Sequence, residues 1–131
     1  MTLHAVDELL HECHFREGIG TAMSLAHEAN RYLEEESPWK RIKEDHDGAA
    51  TALYVAISVI SCLKTVLYPF LPFSSQKLHT LLGFDGKIED GGWTLRAPSP
   101  GQSLAPPQPL FTKLDEHIVE EEMSRLWHAP C

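Results

Sequence analysis

The sequence predicts an all-α protein: a helical bundle, a long irregular connection and a C-terminal helix. Apolar residues recur at helical spacing through the first part of the chain and again near its end. Between these parts lies a stretch rich in glycine and proline, without periodicity. We therefore predict a bundle over residues 1–83, a connection over 84–112, and a C-terminal helix over 113–131 that packs back on the bundle.

Two amphipathic helices are predicted at the start of the chain. Apolar residues at helical spacing from Leu3 to Cys13 mark the first, and a longer stripe beginning at Phe15 marks the second. Gly18 and Gly20 fall in the first turns of the second helix, where each costs about 1 kcal/mol relative to Ala. Either they permit close packing against a neighbour, or the helix starts after them.

The next two helices are predicted from their boundaries. Ser37 is a favoured N-cap and Pro38 a favoured first helical residue, so a short helix should begin at Trp39. A break is expected over residues 45–48. The stretch 49–68 is apolar on most sides, which predicts a central helix packed by several others.

Proline and glycine set the remaining boundaries. Pro69 and Pro72 should end the central helix, and Ser74 should cap a further helix that stops at Gly83. The glycine- and proline-rich connection that follows is predicted to be irregular, with a short hairpin around Trp93.

Composition narrows the function classes. The 131 residues carry a formal net charge of −8, which argues against a general nucleic-acid coat, so that any RNA binding must use a local basic patch. Three cysteines and no recognisable signal peptide favour a reducing cytoplasm. The longest apolar run is shorter than the roughly 20 residues of a bilayer span, so we predict no membrane association.

The corner between residues 37 and 43 is the candidate RNA-binding site. Trp39 lies beside the cations Lys40, Arg41 and Lys43. An unpaired base can stack on an indole while cations meet the flanking phosphates. The alternative is that Trp39 caps the core and the charges form a solvated face, which the residues alone favour.

The sequence gives little support for metal binding, nucleotide binding or catalysis. His11, Cys13 and His14 lack a second ligand pair at zinc spacing, so no metal site is predicted. The only Gly-x-Gly, Gly18 to Gly20, follows no predicted strand and is not a nucleotide-binding fingerprint. No catalytic residue is predicted.

Several ordered motifs resemble one known family. The run from Ala29 to Lys40, with Asn-Arg-Tyr, an acidic turn and Pro-Trp, resembles the signature of the anticodon-binding domain of class I methionyl-tRNA synthetases. Residues 49–54, the Pro-Phe-Leu-Pro-Phe turn at 69–73, residues 76–83 and residues 109–115 resemble later segments of that family in the same order.

The resemblance implies a helical bundle of the class I synthetase anticodon-binding type. It implies that Trp39 stacks on the methionine anticodon and that Pro38 sets its position. Glu34 occupies a place where many members have Asp, a residue tied to reading the anticodon. Lys40 matches a common lysine after Pro-Trp, whereas Arg41 and Lys43 are added from charge alone.

The same resemblance implies partners and absences. The partners would be the anticodon loop of methionine tRNA and a catalytic domain. The family's ATP-site signatures and its zinc insertion do not occur in the sequence, so we expect a part of a longer ligase, inactive alone and without a cofactor. ATP and methionine would be used in the catalytic domain.

A second hypothesis is a helical protein–protein interaction module. The first helix of the family's anticodon domain has no counterpart here, which would leave an apolar groove open. That groove could mediate homodimerisation or capture another helix.

Overall fold

The structure, a computed structural model, describes residues 2–128 and contains no strand within that range. This confirms the all-α prediction. The described elements, in chain order, are α1 (Thr2–His11), α2 (Phe15–Glu36), α3 (Pro38–Arg41), α4 (His46–Leu67), α5 (Pro72–Leu81), a 3-10 helix (Ile88–Gly91) and α6 (Glu116–His128).

The core lies where α1, α2 and α4 meet. Val6, Ala22 and Val66 are fully buried there. Cys62 and Leu63 complete this buried cluster, and the side chain of Trp93 packs against it from the connection. Removal of this apolar surface from water, at about 25 cal/mol per Å², stabilises the three-helix unit.

Helix α4 is the central helix, as predicted, but it is longer than expected. It has 22 residues and starts at His46, because Asp45 accepts a hydrogen bond from the Gly48 N–H and caps the helix. The predicted break over 45–48 is therefore the cap and first turn. By length and apolar composition α4 could cross a membrane, with a mean hydropathy of 1.8 over its most apolar 18 residues. Yet 44% of that stretch is buried inside the bundle. Contacts with α1, α2, α3 and α5 are those of a core helix.

Two predicted helix starts are corrected. Helix α2 begins at Phe15, ahead of both glycines, so the late start is wrong. Gly18 is buried against Phe70 and Leu10, whereas Gly20 faces open space. Helix α5 begins at Pro72 rather than after Ser74, because proline has a suitable φ for the first helical residue and needs no N–H partner there.

The connection after α5 is irregular but held on the bundle by hydrogen bonds. The Trp93 indole N–H donates to the Leu3 carbonyl at 3.1 Å, and the Tyr54 hydroxyl donates to the Pro98 carbonyl at 3.1 Å. The Ser61 hydroxyl donates to the Arg96 carbonyl. The predicted hairpin around Trp93 is wrong, because its backbone groups bond to the bundle and to turns instead of a second strand.

Gly83 ends α5 as predicted. Its φ is +83°, and a Cβ there would lie 2.1 Å from the Ser103 carbonyl oxygen of the connection. Only glycine meets both constraints.

Helix α6 starts at Glu116, three residues later than predicted, and none of its residues is buried. Leu126 and Trp127 are 77% and 83% exposed. The expected packing of this helix on the bundle is therefore not observed. The predicted C-terminal segment also includes residues 129–131, which lie outside the described residues.

A basic cluster joins α4, α5 and the connection, with Lys64 and His79 buried and Arg96 exposed. The Lys64 Nζ lies 2.8 Å from His79 Nδ1 and 3.9 Å from the Phe84 ring centre. His79 stacks on the same ring, and the Arg96 guanidinium lies 4.9 Å from its centre. Burial, together with the charge of Arg96, lowers the pKa of Lys64 to about 8.

This cluster predicts a pH dependence of stability. Between a folded pKa of about 8 and an ordinary value of 10.5, the unfolded chain binds more protons at Lys64 than the folded chain. The free energy of unfolding should therefore increase with pH between these two pKa values, by at most about 1.4 kcal/mol per pH unit. Urea unfolding of the wild type and of Lys64→Met checks this. A difference between them that does not change with pH would contradict it.

Candidate nucleic-acid interface

The turn between α2 and α3 is built on Ser37. Its φ of 40° and ψ of 58° are left-handed, and its N–H donates to the Leu33 carbonyl, which ends α2. Its hydroxyl donates to the Glu34 carbonyl at 2.6 Å. The predicted side-chain cap on α3 is not formed. Ser37 instead contributes its carbonyl, which accepts the N–H groups of Lys40 and Arg41.

Pro38 and Trp39 follow this turn with opposite exposure. Pro38 is buried at the first position of α3. Trp39 is 57% exposed. The alternative that Trp39 caps the core is therefore wrong. A large, flat apolar side chain is held in solvent on a short helix whose first residue is anchored in the protein.

The predicted charged residues surround this corner, but they do not make a basic patch. Glu34, Lys40 and Lys43 are all exposed. Within the described residues, neither lysine forms an ion pair. Residues 34–47 contain six carboxylates and only three cations, so the corner carries a net negative charge. The expected local basic patch is therefore corrected: the corner has more carboxylates than cations.

Arg41 differs from the two lysines. Its guanidinium pairs with the Glu36 carboxylate, and its Nε lies 3.2 Å from an Asp45 carboxylate oxygen. The prediction that Arg41 contacts a phosphate rests on its charge alone, whereas in the structure that charge already has two partners. The structure places its charge between two carboxylates of the protein.

Asp45 was missed as a member of this corner, although an Asp before an apolar helix is a standard N-cap signal. One carboxylate oxygen accepts the Gly48 N–H at 2.9 Å, and the other lies at Arg41. The Gly48 hydrogen bond, with a further contribution from the charge of Arg41, lowers the pKa of Asp45. Asp45 thus connects the start of α4 to the end of α3.

An apolar groove runs along α2 and α4 on the same side of the bundle as Arg31 and Tyr32. It has a volume of about 270 Å³ and is lined in its middle by Leu25, Val55 and Val59. These three residues also line an adjoining groove of about 330 Å³ that reaches Leu95. Leu25, Val55 and Val59 thus leave an open apolar surface on α2 and α4.

Comparison with known proteins identifies the family of this fold. A family model described as the anticodon binding domain of methionyl tRNA ligase matches residues 1–128. The chain belongs to this family. The resemblance from the Asn-Arg-Tyr and Pro-Trp motifs is thereby confirmed.

Curated relatives agree with this assignment. The chain is 54% identical over 124 residues to a methionine–tRNA ligase of Dehalococcoides mccartyi, covering 95% of this chain and 22% of the relative. It is 40% identical over 151 residues to a methionine–tRNA ligase of Roseiflexus castenholzii, covering 95% of this chain and 26% of the relative. It is 41% identical over 150 residues to that of Chloroflexus aurantiacus, covering 95% of this chain and 25% of the relative. The chain thus spans about a quarter of the length of these relatives.

Two glycines of this domain should respond differently to replacement by alanine. A Cβ at Gly20 of α2 meets nothing within 4 Å, whereas a Cβ at Gly48 would lie 2.1 Å from an Asp45 carboxylate oxygen. Gly20→Ala should raise the free energy of unfolding by about 0.5–1 kcal/mol. Gly48→Ala should displace the cap and be less favourable than Gly20→Ala by about 1 kcal/mol. Urea unfolding of both variants measures this, and equal gains would contradict the cap.

Proposed function

We propose that this chain recognises the anticodon loop of methionine tRNA, with Trp39 as the stacking surface. The observation that carries the proposal is the 57% exposure of Trp39 directly after the buried Pro38 in a family of anticodon-binding domains. The exposed indole presents a flat apolar face that a ligand can cover. Single-stranded RNA offers unstacked bases that such a ring can accept.

The neighbouring residues divide the remaining roles. Lys40 and Lys43 are the exposed cations that can meet phosphates flanking the stacked base. The Glu34 carboxylate is an acceptor that can read an amino group on a base edge. Because carboxylates outnumber cations here, affinity should depend less on salt than that of a basic RNA-binding protein.

The first test compares two tryptophans. Trp39→Ala should weaken binding of a methionine anticodon hairpin by about 1–3 kcal/mol, because one base loses its stacking partner. Trp127→Ala is the matched control, since this side chain is 83% exposed on α6. Fluorescence anisotropy of a labelled hairpin measures both variants at constant salt.

The hairpin sequence supplies a second control. A hairpin with a changed anticodon should bind the wild type more weakly than the methionine hairpin. Equal affinity for the two hairpins, or an unchanged affinity of a folded Trp39→Ala chain, would rule out anticodon recognition by this corner.

We further propose that the chain acts as part of a methionine–tRNA ligase, positioning tRNA for aminoacylation by a catalytic domain that uses ATP and methionine. The support is the family match together with the quarter of each relative that the chain covers. The isolated chain should show no methionine-dependent exchange of pyrophosphate into ATP. Detectable exchange by the purified chain would contradict the proposed division of roles. We place this function in the cytoplasm.

The groove along α2 and α4 carries a second candidate function, self-association. Val55 is 37% exposed and lines both parts of the groove. Burying this apolar surface against a second copy would remove it from water.

Self-association is measured by sedimentation velocity over a range of concentrations. The wild type should shift toward a dimer as concentration rises, and Val55→Glu should remain monomeric because a charge would be buried. Leu53→Glu is the control, since Leu53 is exposed on α4 but lies outside both parts of the groove. A wild type that stays monomeric would exclude the dimer.

A further inference from the structure

Arg41 joins three helices around the stacking tryptophan. Glu36 is the last residue of α2, Arg41 is the last residue of α3, and Asp45 is the N-cap of α4. The guanidinium pairs with both carboxylates. One side chain thereby connects the end of the helix before Trp39 to the start of the helix after it.

Helix α3 needs such a connection because it is very short. It has four residues, too few to be stable through its own hydrogen bonds. The left-handed turn at Ser37 and the buried Pro38 hold its beginning. Its end is held by the Asp45 N–H, which donates to the Arg41 carbonyl at 2.8 Å, and by the two ion pairs of the Arg41 side chain.

More than half of the Trp39 surface is in solvent, so few contacts of its own hold the indole in place. Its direction depends on the backbone of α3. A recognition group that is ordered before the ligand arrives binds more tightly, since less conformational entropy is lost on binding.

We propose that Arg41 is a positioning residue for anticodon binding: paired with Glu36 and Asp45, it fixes α3 and so orients Trp39. The proposal rests on the proposed function of the corner. In this proposal Arg41 positions α3 and does not contact a phosphate. A guanidinium already paired with two carboxylates has less charge to offer, and a phosphate would have to compete with them.

The two roles predict opposite signs for variants of the carboxylates. Glu36→Gln and Asp45→Asn each remove a negative charge near the RNA and weaken the hold on Arg41. Asn is also a good N-cap, so Asp45→Asn keeps the acceptor for the Gly48 N–H. If Arg41 met a phosphate, each variant would release it and tighten hairpin binding. If Arg41 positions α3, each variant weakens binding.

The first measurement is hairpin affinity of Glu36→Gln and Asp45→Asn as a function of salt. We expect each variant to bind the methionine hairpin about 2- to 5-fold more weakly, the scale of one exposed ion pair. The slope of log affinity against log salt should stay as in the wild type. Lys40→Met is the control, because loss of a phosphate contact should reduce that slope by about 0.7. Tighter or unchanged binding by both carboxylate variants overturns the proposal.

The second measurement uses the free chain and does not depend on RNA. In ¹⁵N relaxation by NMR, the amides of α3 and the indole N–H of Trp39 should become more mobile in Arg41→Met than in the wild type. Arg41→Lys should restore part of the order, since it keeps the charge without the two-pronged geometry. The indole N–H of Trp93, which is bonded to the Leu3 carbonyl, is the internal reference.

The two measurements separate the proposals. A wild type that binds no hairpin refutes the proposed function, while increased mobility of α3 in Arg41→Met would still support the positioning contact. An α3 that stays equally ordered in Arg41→Met refutes positioning, even if the wild type binds the hairpin.

Discussion

Helix α4 has apolar side chains on most of its sides, and covering them is the constraint on which the rest of the structure depends. Helices α1 and α2 cover one side and form the core around Val6, Ala22 and Val66. Helices α3 and α5 contact α4 as well, and the connection is bonded across it through Tyr54 and Ser61. One part that stays uncovered is the groove around Val55 and Val59. Burial of one central helix therefore explains both the packed elements and the remaining apolar surface.

The position of the corner between α2 and α3 follows from this packing. Helix α2 runs along α4 and must reverse its direction before α4 can begin, and α3 occupies that reversal. Ser37 absorbs the change of direction in a left-handed conformation, which a small residue with a local hydrogen bond can adopt. Pro38 then points into the protein, and Trp39 follows it into solvent. The exposure of the indole is a result of how the two long helices are joined.

The charges around the corner work mainly within the protein. Arg41 is held by two carboxylates, and Asp45 has its pKa lowered by the Gly48 N–H. These contacts order a short helix in a region that is net negative. In the proposed function, such a corner would recognise RNA through the shape and stacking of unpaired bases, with little long-range attraction.

The sequence by itself determined the fold class, most helices and the family. Those features depend on apolar periodicity and on proline and glycine at helix ends, which are local and legible along the chain. It also predicted Pro38 and Trp39 as candidate site residues, because their order after an acidic run forms a motif. The helix starts at His46 and Pro72 were misjudged, since Asp45 and Pro72 can each either break a helix or begin one. Only the tertiary structure decided that Trp39 is exposed, that Arg41 is paired and that α6 is unburied. Each of these depends on which surfaces meet in space, and the spacing of residues along one chain does not specify that.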